Sequence, residues 1–506
     1  MKYNLITYFH KKKINEENLL YYGPINKEVY EYGKFSQNFK LPSDILQNDK
    51  KKELYLKCEE TYKKLIKNLA RELNYIHSSN LEVKIWEIIF GRWIKDFIYI
   101  CYRNYNSIQI ILKKYNIEKV YCLSSNIEDS VTNNWLDLIN ANSSISWNNQ
   151  LNYKIIESLL PKNKIDLSEQ IIRKKKMVKS KKLLQSRVLE FYNNITKRFK
   201  VEDKFFFYQS GLDFISEKKI ELALNQLPSY WNFPEYTFFK KIDAQMRNKL
   251  NLDFNEENSF EVFLKKILKD YLPLFILESF DDMRHVIKKL NFPKKIKFLL
   301  TGTGFTNELF NIFLANSLLK KKKYILVQHG NAYKTHYEND FLTETQTCDY
   351  SMTWGIKEKE NEIQIFNIKT IRKKKTFNKN GNFSVISHMM STRPLPFNSF
   401  FYQEKIFKDT ILFLEKLPIE FKNKTYFRLF PNEKFNSILK KEILNKNINL
   451  YPENISFEKI KNRTKLFMFN YDSTGFYENL SLNIPTIFFS KDPYYDLKNE
   501  YKEIYE

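Results

Sequence analysis

The fold of this chain is decided by Lys294–Gly330, KKIKFLLTGTGFTNELFNIFLANSLLKKKKYILVQHG. Ile296–Leu300 is a short, mainly apolar run between Lys294–Lys295 and a glycine-bearing turn, which reads as a strand. A glycine-bearing turn, Thr301–Gly304, follows it. A helix is expected from near Thr306, because Leu309, Phe310, Phe313, Leu314 and Leu318 form one apolar face. Thr306 is the expected N-cap, and Lys320–Lys323 suit the negative end of the helix dipole. Strand Tyr324–Val327 then delivers Gln328, His329 and Gly330. Strand, helix and strand in this order make a β-α-β unit, the building block of a parallel sheet.

Working outward, the polar stretch IRKKKTFNKNGN (371–382) reads as a break between domains. After it the alternation resumes. Strands are expected at Phe383–Ser387, Tyr426–Leu429, Leu466–Phe469 and in IPTIFF, with a helix around Gln403–Leu417. This is the pattern of a doubly wound Rossmann-like domain, in which ligands bind beyond the carboxyl ends of the strands. Before Lys294 the opening KYNLITYF and 117–125 (IEKVYCLSS) read as strands. Residues 51–115 read as helical, with Leu65, Leu69 and Leu73 on one face and an interruption at Gly91. Residues 168–205 are basic and expected to be helical, and 206–295 mix helix and loop. The expected division is an N-terminal α/β domain, 1–375, with helical insertions at about 51–115 and 168–295, and a C-terminal domain, 376–506.

Composition narrows the function classes. The 506 residues are 43% hydrophobic and 16% aromatic, enough for large packed cores, and only 10 are glycine and 14 proline. The formal net charge is +24, from 83 basic and 59 acidic side chains. Such a surplus attracts polyanions, an anionic membrane face among them. However, the basic runs Lys11–Lys13, Arg173–Lys176, Lys320–Lys323 and Arg372–Lys375 lie far apart, so no nucleic-acid partner is expected. Cys58, Cys101, Cys122 and Cys348 are widely spaced, which fits a reducing compartment and argues against a zinc site. No apolar run reaches the roughly 18 residues of a spanning helix. A cytoplasmic location is expected, peripheral at the inner face of the inner membrane at most.

The residues that follow each strand carry the expected chemistry. Gly302 lies in the turn after the first strand of the quoted unit, and His388 follows Phe383–Ser387. His329 ends a strand, where an imidazole can move protons or donate to a phosphate. Glu338 and Asp340 are the nearby carboxylates for a base. Gln328 and Gly330 flank His329, and Gly330 is expected to permit a tight turn. Arg428 ends a strand, placing a guanidinium where it can bind phosphate, with Pro431 just beyond. In NYDSTGFYENLSLN, Ser473, Thr474 and Gly475 open a helix whose free N–H groups suit a phosphate, and Glu478 is within reach of ribose hydroxyls. A bare N-cap role for Ser473 is the competing interpretation. The spacing of His329 and His336 suggests no shared helix-face metal site, and no metal or other cofactor is expected.

LARELNYIH, WEIIFGRWI, PLFILESFDD, TGTGFTNELF, VQHGNAYKTHYE, CDYSMTWG and YDSTGFYENLSLNIPTIFF, in this order, resemble transferases encoded in bacterial O-antigen and surface-polysaccharide gene clusters. The resemblance runs from about Leu69 to Phe489. It implies a GT-B-like fold, two Rossmann-like domains facing a cleft, similar to enzymes that transfer Kdo- or sialic-type acidic sugars from CMP donors. It implies a nucleotide-sugar donor held by Arg428, Ser473, Thr474 and Glu478, a glycan or lipid-linked acceptor, and a role for Gln328, His329 and Gly330 at the strand-end motif. Relatives carrying the histidine-glycine strand end include enzymes that transfer glycerol phosphate from CDP-glycerol, so a CDP-alditol phosphotransferase is the nearest alternative. The chain departs from the family at Asn331, where a second glycine is usual and which Ala332 and Tyr333 follow here, and it stops at Glu506 where relatives continue. A basic nucleic-acid-binding protein and an inactive scaffold are the remaining alternatives.

Overall fold

The structure is a computed structural model that describes residues 1–9, 18–35, 39–40, 51–124, 126–168, 191–192, 195–196, 203–290, 292–293, 295–331, 333–355, 357–371, 373, 378–388, 400–431, 436–489, 497–501 and 503. The expected basic helix over 168–205 falls almost wholly outside these residues, as do the runs at Lys11 and Arg173 and most of the run at Arg372.

The quoted unit folds as expected, with small shifts. β7 is Phe298–Thr301, the helix is Glu308–Leu318, and β8 is Lys323–Val327. The cap is Asn307 rather than Thr306: its side chain accepts the Phe310 N–H at 3.0 Å. Thr306 instead belongs to a short 3-10 turn, Gly304–Thr306, that lifts the chain off the strand end.

Where the sequence reading counts two α/β units, the described residues build three five-stranded sheets. The first joins β1 (Lys2–Ile6), β2 (Leu19–Tyr21), β3 (Phe39–Lys40), β4 (Asn116–Leu123) and β5 (Ile165–Ser168) in the order β3-β2-β1-β4-β5. The second runs in sequence order through β6 (Phe205–Phe207), β7, β8, β9 (Tyr350–Trp354) and β10 (Glu362–Ile365). The third holds β11 (Asn382–Ile386), β12 (Thr425–Arg428), β13 (Asn449–Leu450), β14 (Thr464–Phe469) and β15 (Thr486–Phe488) in the order β13-β12-β11-β14-β15. The strand pairs are all parallel. The third sheet reverses its winding between β11 and β14, the point at which an open parallel sheet leaves a crevice for a ligand.

The expected helical stretch over 51–115 forms two long helices, Lys51–Ile76 and Arg92–Lys114. Leu65, Leu69 and Leu73 are each fully buried on the first, worth about 1.5–3 kcal/mol apiece relative to exposure. Gly91 does not interrupt the second. It closes a π-helical turn, Glu87–Gly91, where a Cβ would come within 2.7 Å of the Tyr62 hydroxyl and 2.8 Å of Thr343 Cγ2. That close approach brings Arg92 against the second sheet, with consequences for the site below. No helix among the described residues is long and apolar enough to cross a membrane.

Candidate functional site

The carboxyl edge of the third sheet assembles around its winding reversal. Beyond β11 the His388 N–H donates to Asn470 Oδ1 at 2.7 Å, and Asn470 Nδ2 donates to Ser387 Oγ at 3.2 Å, tying the ends of β11 and β14 together. The His388 ring stands edge-on to Tyr471 at 5.0 Å. Arg428 ends β12, with its guanidinium 5.9 Å from the Phe457 ring centre. Its Nε is buried with no hydrogen-bond acceptor among the described residues. Burial lowers its pKa, and the neighbouring Tyr471 hydroxyl acts against that shift. Among the described residues no carboxylate pairs with this guanidinium.

Ser473 is the N-cap of the helix Thr474–Ser481, its Oγ accepting the Phe476 N–H at 3.2 Å. The hydroxyl is engaged by the helix and also hydrogen-bonds the Tyr471 side chain, and removing its cap is expected to cost about 1 kcal/mol of stability. Glu478 is engaged as well: its Oε2 lies 2.7 Å from Lys373 Nζ and 3.6 Å from Lys461 Nζ. Thr474 points the other way, its Oγ1 donating to Asn331 Oδ1 at 3.4 Å.

The carboxyl edge of the second sheet meets this one head-on. Asn331 Nδ2 donates to the Asp472 carbonyl at 2.8 Å, and His336 Nε2 lies 2.8 Å from Asp472 Oδ2. Gly330 does not adopt the left-handed conformation that would demand glycine. A Cβ there would sit 3.5 Å from Thr474 Oγ1, an ordinary contact, so the residue marks where the two edges touch rather than a forced turn. Gln328 is buried and used internally, its Nε2 donating to the Gly330 carbonyl at 2.9 Å and its Oε1 accepting the Trp354 N–H at 2.7 Å. It shapes the loop that carries His329. Gly302 is required by close packing: a Cβ would lie 3.0 Å from the Ser210 carbonyl oxygen.

The His329 ring is held on two sides. Nδ1 is 2.8 Å from the Tyr333 hydroxyl, and a backbone hydrogen bond joins the ring to Gly302. Burial, with the charges of Arg92 and then Lys369, pushes its pKa down to about 4. The imidazole is therefore neutral at physiological pH, with one tautomer favoured by its partners. Proton NMR of the ring should show titration near pH 4, whereas a midpoint at the ordinary 6.5 would mean the pocket is wet. Because the folded pKa lies below the unfolded one, the ring's contribution to stability is complete above about pH 6.5 and is lost as pH falls through about 4.

The two expected bases fare differently. Asp340 pairs with Lys498 Nζ at 2.7 Å. Glu338 belongs to the short turn Tyr337–Phe341, but its side chain lies outside the described residues. The partner of Asp340 comes from a C-terminal segment that crosses to the second sheet: Leu497 bridges His336, the Lys498 N–H donates to the Thr335 carbonyl at 2.8 Å, and the Tyr501 hydroxyl donates to Glu358 at 2.7 Å.

Sequence reasoning missed Arg92, Trp135 and Glu308. The Arg92 guanidinium lies 4.3 Å from the Trp135 ring centre and 4.7 Å from that of Phe305, and Nη1 pairs with buried Glu344 at 3.0 Å. Phe305 in turn is 5.7 Å from the His329 ring. Glu308 accepts the Trp135 N–H at 3.2 Å through Oε1 and Asn134 Nδ2 at 3.4 Å through Oε2. The available signals were an arginine in the apolar run FGRWI and an acid at the first turn after TGTGF. Neither is distinctive without the helix that brings Arg92 across 200 residues of sequence. Among the described residues, no three His, Cys, Asp or Glu side chains converge as metal ligands.

A family model described as LIC12162 family transferase matches residues 3–506. No curated protein matches the chain. The chain belongs to the LIC12162 family of transferases.

Proposed function

We propose that this transferase is a GT-B-like glycosyltransferase of surface-polysaccharide biosynthesis that moves an acidic nonulosonate- or Kdo-type sugar from a CMP-activated donor to a glycan or lipid-linked acceptor. The observation that carries the reading is the Arg428 guanidinium. It stands at the winding reversal of the third sheet, beside His388 and Tyr471, with a buried Nε that has no acceptor and no carboxylate partner among the described residues. A charged donor in a partly desolvated site binds an anion strongly, and the phosphate of a CMP donor supplies one. The same charge would favour the departing CMP as negative charge develops on its phosphate. The second-sheet edge, which meets this one through Asn331, His336, Asp472 and Thr474, is positioned to present the acceptor. His329, neutral and held by Tyr333 and Gly302, positions that edge rather than shuttling a proton.

Thermal unfolding in the presence of nucleotides tests the donor. CMP or CDP should raise the melting temperature more than UDP, GDP or NAD. A ligand at 100 times its Kd adds about 2.7 kcal/mol. A larger shift from UDP or GDP would replace the donor, and no shift from any nucleotide would remove the reading.

A further inference from the structure

Glu308 stands apart from the other carboxylates around the two facing edges. Asp340 is paired with Lys498, Glu344 with Arg92, and Glu478 with Lys373 and Lys461. Asp472 takes His336. Among the described residues Glu308 has no cation against it; its carboxylate accepts from its own backbone N–H, the Trp135 backbone N–H and the Asn134 amide. A carboxylate offers about four acceptor positions, so about one remains. Its place in the fold is also particular. It opens the helix after β7, at the carboxyl edge that presents His329 from the adjacent strand β8. Phe305, Arg92 and Trp135 make one continuous layer between the His329 ring and the Glu308 carboxylate. The residue as a whole is half-buried.

We propose that Glu308 is the base that takes the proton from the incoming acceptor hydroxyl. This rests on the transfer reaction proposed above. The acceptor O–H bond breaks and its proton passes to the Glu308 carboxylate. The acceptor oxygen forms a bond to the anomeric carbon of the donor sugar. The bond from that carbon to the donor phosphate oxygen breaks, and its electron pair leaves with CMP. The balance needs no oxidant, reductant or further reactant.

The electrostatics agree with this role. Burial pushes the Glu308 carboxyl up to about 7, while its own backbone N–H, the Trp135 N–H and Asn134 act against that rise. A base poised near the working pH combines an ionised population with a real affinity for the proton. The charged groups that approach from the packed helices are Arg92 and Asp96, both held against Trp135, and Glu344 beyond Arg92.

The test follows CMP release from CMP-N-acetylneuraminate, with water as the acceptor hydroxyl, in wild type and Glu308→Gln. The expected result is a kcat lowered about 10²–10⁴-fold with KM and CMP affinity unchanged. The rise of wild-type kcat with pH through about 7 should vanish in the variant. Formate should restore part of the rate to Glu308→Ala. A purely structural tether would give the opposite pattern: a lower melting temperature, an intact pH profile and no rescue. Any of those three, or a kcat within twofold of wild type, overturns the assignment. Wild-type protein that binds CMP but releases none from the donor also overturns it. Protein that does not bind CMP at all fails at the donor site instead, which separates the two readings.

Discussion

Arg428→Ala is expected to weaken CMP binding by about 10- to 150-fold, the equivalent of 1.5–3 kcal/mol for charge-assisted hydrogen bonds. Among the described residues the guanidinium makes no ion pair and its Nε has no acceptor. Removing it should therefore leave the fold nearly as stable, because no partner is stranded. Arg428→Lys should recover only part of the affinity, since an ammonium lacks the planar fork that grips two phosphate oxygens. Calorimetric titration with CMP reads the outcome directly. Unchanged affinity in a folded Arg428→Ala protein would put the phosphate elsewhere.

The second large effect concerns stability rather than the site. Arg247→Met should destabilise the protein by about 3–5 kcal/mol, the cost of leaving a buried charge without its partner. Arg247 Nε and Nη2 hold the two carboxylate oxygens of Glu278 at 2.7 and 3.0 Å, and both side chains are 2% exposed. Nη1 and Nη2 also donate to the carbonyls of Lys269 and Leu272 at 2.8 and 2.9 Å. These bonds fasten the end of the helix Ser259–Tyr271 beneath the core that carries Tyr271 and Phe275. In Arg247→Met, Glu278 and two carbonyls remain buried without the guanidinium. The double variant Arg247→Met, Glu278→Leu should regain much of the loss, because no lone charge is then left inside. The urea midpoint measures both. A loss below about 1 kcal/mol in the single variant would show that water reaches Glu278.

The parts of this protein that were legible in its sequence are those whose cause is local. Apolar spacing alone placed the Glu308–Leu318 helix, the buried face of Leu65, Leu69 and Leu73, and the strands Lys323–Val327, Asn382–Ile386 and Thr464–Phe469 within a few residues. The order of those pieces was enough to require parallel sheets. The count of sheets was not legible, because β2, β3 and β13 are only two or three residues long and hold their places through pairing with a neighbour, not through any pattern of their own. The site divides in the same way. That Arg428 and His388 would emerge at strand ends followed from position along the chain. What each side chain is free to do did not, because that depends on partners far away in sequence. Asp340 is engaged by Lys498, Glu478 by Lys373 and Lys461, and the Ser473 hydroxyl by its own helix, whereas Arg428 and Glu308 keep charges that no opposite charge answers among the described residues. A sequence determines which groups exist and which local element carries them. The tertiary structure decides their solvation and pairing, and those set the pKa of His329 and Glu308 and the availability of every candidate group.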